Sequence, residues 1–407
     1  MHVLFVAPET SLYNRRFIES LKRSGAKVSA IGHAPIGRLV PELKQVLDAY
    51  HQVKSLFDGQ ETLAAARELD QKLPIDRIET IDEPLIGAAA HLRSALSLPG
   101  LTQEQAKLCR DKQAMKDVMR AHGIPCAASA AVSSEADIRA FVERERYPIV
   151  LKPRDGFGTL HTYRVDDDKQ LQVVLGKLKP GEPGRSIIAE EFIDGHEGFY
   201  DTVTVEGKPA HEFIAHYYPG CLEAIQDRRI APQIACTNRV DESGYKDLRR
   251  VGTRLIEVLG IDRGATHMEW FFGSKGLKIG EIGVRPAGER IWDMHQAGNE
   301  FDLYGAWAEA VLHGKNSGVP TRRFATGSVQ VRPNRDGRYL HHLGLDEVRR
   351  LCGEHLIEFE VPDPGSPTQP MDKGWHVNTW FRLRHTNYDT LREMLTFIGT
   401  TVKAVAQ

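Results

Sequence analysis

The chain has 407 residues, enough for roughly two to four packed units, and its 53 Lys plus Arg against 55 Asp plus Glu leave a formal net charge of −2. That balance excludes a dedicated nucleic-acid or membrane-surface binder, because either needs a basic field. Five scattered cysteines (Cys109, Cys126, Cys221, Cys236, Cys352), with no Cys-x-x-Cys pair, argue against a disulfide framework or a zinc site and fit a reducing compartment.

The N-terminal apolar run is five residues long, too short for a secretory leader. No apolar stretch reaches the ~18 residues of a membrane span. The expected location is the cytoplasm. Val3–Ala7 reads as a buried strand, Tyr13–Ser24 as an amphipathic helix stopped by Gly25, and Val28–Gly32 as a second strand. Leu63–Lys72 then reads as a helix and Arg77–Ile81 as a strand. Strands separated by helices imply a parallel sheet covered on both faces. The first strand-to-helix turn, Pro8-Glu9-Thr10-Ser11, is not Gly-x-Gly-x-x-Gly, which removes most of the weight from a dinucleotide-dehydrogenase reading.

Thr102 and Gln105 form a Thr-x-x-Gln capping box, and the helix it opens is predicted to run to about Ala121, before Gly123-Ile124-Pro125. Strands follow at Pro148–Lys152, Leu160–Val165 and Ile187–Ile193, with helix Asp168–Leu178 and the turn-rich Pro180–Gly184 between the last two. Two strands, Thr266–Gly273 and Leu277–Val284, flank a tight turn. Helix Phe301–His313 precedes a linker near Lys315–Pro320. Strands Thr326–Arg332, Ile357–Val361 and Trp375–Arg384 and a helix Tyr388–Ile398 close the chain.

Four features recur in one order along this frame. Lys112 lies inside the helix after residue 101. Lys152 ends a strand and is followed by the loop Arg154-Asp155-Gly156-Phe157-Gly158-Thr159. Glu190-Glu191-Phe192-Ile193 and Glu197 come next, then Glu269 and Glu281 on paired strands, with Arg285 beyond. Such a set suits a nucleoside triphosphate with a metal. Two lysines can neutralise phosphate oxygens, and glycines at 156 and 158 let backbone N–H groups approach them. Two carboxylates can hold Mg²⁺, a hard cation that takes the rest of its shell from water and phosphate. An arginine alongside can stabilise charge on a transferring phosphoryl group.

The carboxylate pair makes a demand on the hairpin. Reading Ser274-Lys275-Gly276 as a three-residue loop, with Gly276 left-handed, sets Gly273 against Leu277 and Glu269 against Glu281. Directly opposed residues share a face. A loop of two or four residues would offset the pair by one and send the acids to opposite faces. His267 is read as orienting substrate or as a packed, hydrogen-bonded histidine, and Cys109 as core or surface rather than nucleophile. Trp375, Trp380 and His341-His342 are read as pocket-lining candidates or as ordinary packing.

These residues resemble the ATP-grasp superfamily over roughly residues 1–320. The likeness runs from Asp111-Lys112-x-x-Met115-Lys116 through Val150-Leu151-Lys152-Pro153 and Glu190-Glu191-Phe192-Ile193-Asp194-Gly195-x-Glu197. It continues to His267-x-Glu269 and Glu281-Ile282-Gly283-x-Arg285-Pro286-x-Gly288. The resemblance implies an α/β and α+β fold: an N-terminal parallel-sheet domain (1–101), a central two-part ATP-binding domain (102–318, with 125–189 as a lid) and a small β-rich C-terminal mixed β/α domain (319–407).

It further implies ATP held between two sheets by Lys112, Lys152 and the loop of Gly156, Gly158 and Thr159. Glu190 to Ile193 would line the adenine, with backbone groups of Glu191 and Ile193 reading its edge, and Glu197 would take the ribose. Glu269 and Glu281 would carry Mg²⁺, with Mn²⁺ as an alternative, and Arg285 would face the γ-phosphate. Many members carry Asn where this chain has Gly283, so a second Mg²⁺ would have to be held differently. The Glu-x-Gly-x-Arg variant resembles branches that couple small-molecule carboxylates to amines, releasing ADP and phosphate. A biotin carboxylase-like activity and a non-catalytic ATP-binding scaffold are the competing readings. The C-terminal residues are expected to complete the substrate pocket or to support a homodimer.

Overall fold

The computed structural model describes residues 1–11, 13–156, 158–370 and 378–407. Strands His2–Val6, Lys27–Gly32 and Arg77–Glu79 form the expected parallel sheet. A fourth, Ala49–Gln52, joins it, so that the order is 49–52, 27–32, 2–6, 77–79. Every residue of His2–Val6 is buried, as a parallel strand covered on both faces requires. Val3 and Phe5 pack with Phe17, Ile18 and Leu21 of helix Asn14–Arg23, whereas Leu4 and Val6 pack with Ala65, Ala66 and Leu69 of helix Gly59–Lys72. That second helix starts four residues before the predicted Leu63, because the Asp58 carboxylate accepts from the N–H groups of Gln60 and Glu61.

The single helix expected from Thr102 to Ala121 is two helices, Gln103–Arg110 and Lys112–Ala121. Asp111 stands between them in an extended conformation, and its carboxylate accepts from the N–H groups of Gln113 and Ala114. An aspartate that can cap breaks a run that periodicity alone would continue. Lys112 therefore sits at the first position of the second helix, not within a longer one. The capping box at Thr102 is present, with both reciprocal bonds made. Thr102→Ala should cost about 1 kcal/mol, visible as a lower denaturation midpoint.

Four antiparallel strands make a second sheet in the order Ser129–Val132, Ile187–Glu191, Ile149–Pro153, Tyr163–Val165. Ile149 and Leu151 point into a core with Ile138, Phe141 and Leu171, so Val150 and Lys152 face the other way. The strand predicted from Leu160 begins only at Tyr163, since Thr159 (φ 63°) and His161 (φ 57°) are both left-handed.

The largest sheet has eight antiparallel strands: Gly276–Gly283, Gly264–Gly273, His196–Val205, Lys208–Tyr218, Gln233–Thr237, Ala325–Gln330, Trp380–His385 and Leu356–Glu360. The last three, from the C-terminal part of the chain, extend the sheet that carries the Glu269–Glu281 hairpin. Tyr339–Leu343 and Lys403–Ala406 form a separate pair. The predicted strand Trp375–Arg384 is observed as Trp380–His385, and Trp375 lies outside the described residues. No described helix is long and apolar enough to cross a membrane.

Candidate active site

Between the antiparallel four-stranded sheet and the hairpin end of the eight-stranded sheet lies a cavity of about 400 Å³. Val150, Lys152, Glu190 and Glu191 form one wall. Glu269, Phe271, Gly280 and Glu281 form the facing wall, with Glu197 and Gly220 to Glu223 at one end and Gly156, Gly158 and Thr159 over the top. Lys112, Phe192 and Ile193 also line it. The candidates thus converge with one exception. Arg285 does not line this cavity; its guanidinium is held by Glu83 Oε2, with Nε and Nη2 each at 2.7 Å.

Glu269 does stand opposite Glu281, but by a different device from the one expected. The hairpin loop has two residues, since Gly273 pairs with Gly276 (φ 78°), and the ladder runs regularly to Trp270 opposite Ile279. Such a loop alone would set Gly280 opposite Glu269 and turn Glu281 to the other face. A β-bulge takes up one residue between Ile279 and Glu281 and restores the register. Gly280 is the extra residue: a Cβ there would approach the Phe271 ring to 3.0 Å and Glu269 Cβ to 3.4 Å, so a side chain would fill the cavity floor.

The charges form a chain of alternating sign. Lys112 Nζ donates to Gly156 O (2.6 Å) and lies 3.2 Å from Glu281 Oε2; Lys152 Nζ is 3.1 Å from Glu190 Oε2 and 4.0 Å from Glu281 Oε2. Lys116, fully buried and given no role by its motif, reaches Glu190 Oε1 at 3.4 Å. At Glu190 burial is outweighed by Lys116 and Lys152, which hold its carboxyl below the usual range. At Lys152 burial is likewise outweighed by Glu190 and Glu281, which push it up.

The acid pair is split. Burial, then the charges of Glu281 and Glu197, push Glu269 well above the ordinary carboxylate range, while at Glu281 burial is overcome by Lys112 and Lys152 and the carboxyl is held low. Two facing, half-buried carboxylates on one cavity wall are relieved by a divalent cation, and they leave the rest of its shell to phosphate and water, so the donor set fits Mg²⁺. No group of three or more His, Cys, Asp or Glu that could hold a metal by itself occurs among the described residues.

The remaining candidates occupy distinct positions. The Glu191 carboxylate is taken by Lys278, and its N–H donates to Ala128 O at 2.9 Å; the Phe192 N–H donates to Pro148 O at 3.2 Å. Arg164 lies over the Phe192 ring, 4.2 Å from its centroid. Glu197 Oε2 accepts from the Cys221 N–H at 2.6 Å, and burial keeps its carboxyl raised. His267 is packed and bonded: its Nδ1 lies 2.6 Å from Asp201 Oδ1, and His295 Nε2 lies 2.8 Å from Asp201 Oδ2, all three buried. Cys109 is core, and all five cysteines are free.

Periodicity could not have found the partners of Arg285. Glu83, which follows strand Arg77–Glu79, also accepts from Arg110 Nη1 at 2.5 Å, and Arg110 in turn donates to Asp155 O beside the glycine loop. A Cβ at Gly283 would lie 3.6 Å from Glu83 Oε2, so the place beside that glycine is taken by an acid more than 190 residues away in sequence.

No family model matches the chain. By sequence it is similar to the L-arginine-specific L-amino acid ligase of Bacillus subtilis, at 29% identity over 297 residues, covering 71% of this chain and 70% of that one. It is also similar to the alanine–anticapsin ligase of Bacillus subtilis (strain 168), at 29% over 245 residues, which are 54% of this chain and about half (49%) of that protein. Among solved structures, the L-amino acid ligase from Bacillus licheniformis superposes with a TM-score of 0.78 at 18% identity, covering 100% of this chain and 98% of that one. The chain has the ATP-grasp fold. In that fold the cavity lies between the two antiparallel sheets.

Proposed function

We propose that the chain is an ATP-dependent ligase that activates a small-molecule carboxylate as an acyl phosphate and couples it to an amine. The observation that carries this reading is the Glu269–Glu281 pair, opposed on one wall of the cavity and faced by Lys112 and Lys152. Lys112 and Lys152 exchange Glu281 and Glu190 for phosphate oxygens when the nucleotide enters, and the backbone of Gly156, Gly158 and Thr159 closes over them. The Glu191 carbonyl and the Ile193 N–H read the adenine edge, beside Phe192 and Glu190, and Glu197 takes the ribose hydroxyls.

Glu269 and Glu281 hold Mg²⁺, which when bound neutralises charge on the phosphate oxygens. The substrate carboxylate oxygen attacks the γ-phosphorus as the bond to the β–γ bridging oxygen breaks and ADP leaves. The amine nitrogen then attacks the acyl carbon, phosphate departs with the C–O electrons, and the amine loses a proton. Arg285 is the group assigned to the γ-phosphoryl, which it reaches by leaving Glu83. Walls on both sides of the cleft shield the acyl phosphate from water and hold it beside its nucleophile. The free cysteines accord with a reducing, cytoplasmic setting.

The test is a phosphate-release screen of amino acids and other small carboxylates, singly and in pairs, with ATP and Mg²⁺. Release that requires two partners and yields an amide is the expected result. ATP turnover that depends on bicarbonate and biotin would replace this reading with the carboxylase one, and tight ATP binding without turnover on any pair would replace it with the scaffold.

A further inference from the structure

Gly276–Gly283 is an edge strand of the eight-stranded sheet, and its bulge leaves backbone groups outside the ladder. Three of them are met by one segment, residues 115–126. Lys116 Nζ donates to Gly280 O at 2.8 Å, the Ile282 N–H points at Met115 Sδ (3.3 Å), and the Ile279 N–H donates to Pro125 O at 2.8 Å. Lys116 itself has no solvent exposure, which is exceptional for a lysine. Its ammonium is spent on the carbonyl of the bulge residue and on Glu190.

We propose that Lys116 is a positioning residue: by holding the Gly280 carbonyl it fixes the bulge that brings Glu281 opposite Glu269, and through that register it sets the affinity of the acid pair for a divalent cation. The inference rests on the reading of Glu269 and Glu281 as the cation ligands. The argument is one of register. With a two-residue loop and no bulge, Glu281 would face away from the cavity, and the bulge is the sole correction between Gly273 and Glu269. An apolar side chain at 116 would leave the Gly280 carbonyl buried without a donor, and the strand would regain that bond only by sliding one residue, which flips every side chain beyond it.

The experiment uses the full chain and Mn²⁺ as the probe, with free Mn²⁺ read by electron paramagnetic resonance in the presence of a non-hydrolysable ATP analogue. Analogue binding in EDTA is measured in parallel by calorimetry. Lys116→Met should weaken Mn²⁺ binding by about 10- to 100-fold while metal-free analogue affinity stays within about threefold. Unchanged Mn²⁺ affinity overturns the proposal. So does an equal fall in both affinities, which would make Lys116 a phosphate-binding lysine like its neighbours.

A chain lacking Gly280 supplies the second arm. Removing the extra residue leaves Glu281 opposite Glu269 in a regular hairpin, so in that background Lys116→Met should change Mn²⁺ affinity less than about twofold; independent, additive effects overturn the proposal. If Lys116→Met does not fold in the full chain, recovery of folding in the Gly280-deleted chain supports the proposal and failure to recover overturns it. Glu281→Gln separates the two levels. Should it bind Mn²⁺ as the parent does, the metal reading falls and takes this one with it; should it lose Mn²⁺ while Lys116→Met keeps it, this inference alone falls.

Discussion

Glu281→Gln should lower kcat/KM by about 10³-fold or more, close to 4 kcal/mol of transition-state stabilisation, while the protein remains folded. The amide keeps the volume and an acceptor oxygen but loses the charge that answers Lys112 at 3.2 Å and Lys152 at 4.0 Å. Two consequences of the change oppose each other in the fold. Lys112 and Lys152 lose a counter-charge, which destabilises; Glu269 loses a like charge across the ladder, which stabilises. The thermal midpoint should therefore move by a few degrees at most, and the loss should appear in turnover and in Mn²⁺ binding. Turnover within threefold of the parent would remove Glu281 from the metal assignment. A collapse of the fold would instead mean that its charge serves the core and not a ligand.

The sequence was most readable where one physical signal acts alone. The short apolar runs Val3–Ala7 and Pro148–Lys152 read as strands, and strands His2–Val6 and Ile149–Pro153 occupy those places within a residue at each end. The capping box at Thr102 is a local interaction, complete within four residues, and it is present as read. Legibility failed where two local signals compete. Asp111 sits in a helical run yet offers its carboxylate to two backbone N–H groups, and capping won.

The hairpin is the clearest case. Its outcome, Glu269 opposite Glu281, was legible from the chemistry the pair would have to perform, but the means was not, because a bulge at Gly280 is specified by contacts from residues 115–126. The long hairpin His196–Tyr218 has no turn marker in the sequence: its two-residue turn, Glu206-Gly207, takes positive φ at both positions, yet Glu-Gly is not among the dipeptides that favour this turn. Glu83 and Lys116 belong to a further class. Each acts through a partner more than 160 residues away, and nothing in the neighbouring sequence marks which acid or base will meet it.

Lys152→Met should be the most damaging single change to stability and activity together. Lys152 stands between Glu190 and Glu281, and both carboxylates favour its charged form strongly enough to overcome burial. Methionine fills the stem but leaves Glu190 with Lys116 and Glu281 with Lys112 as their remaining lysine partners. Breaking a buried pair from one side costs about 3–5 kcal/mol, and the lost phosphate contact should lower kcat/KM by a further factor of about 10³ with a raised KM for ATP. Lys152→Arg should not restore activity, since a planar fork cannot occupy the point between two carboxylates that an ammonium fills. The two losses can be separated. Adding Glu190→Gln to Lys152→Met removes the stranded charge, so the thermal midpoint should recover by more than half while turnover stays lost. Recovery of both would mean that Lys152 only balances Glu190, and recovery of neither would mean that the stability loss does not come from the charge left on Glu190.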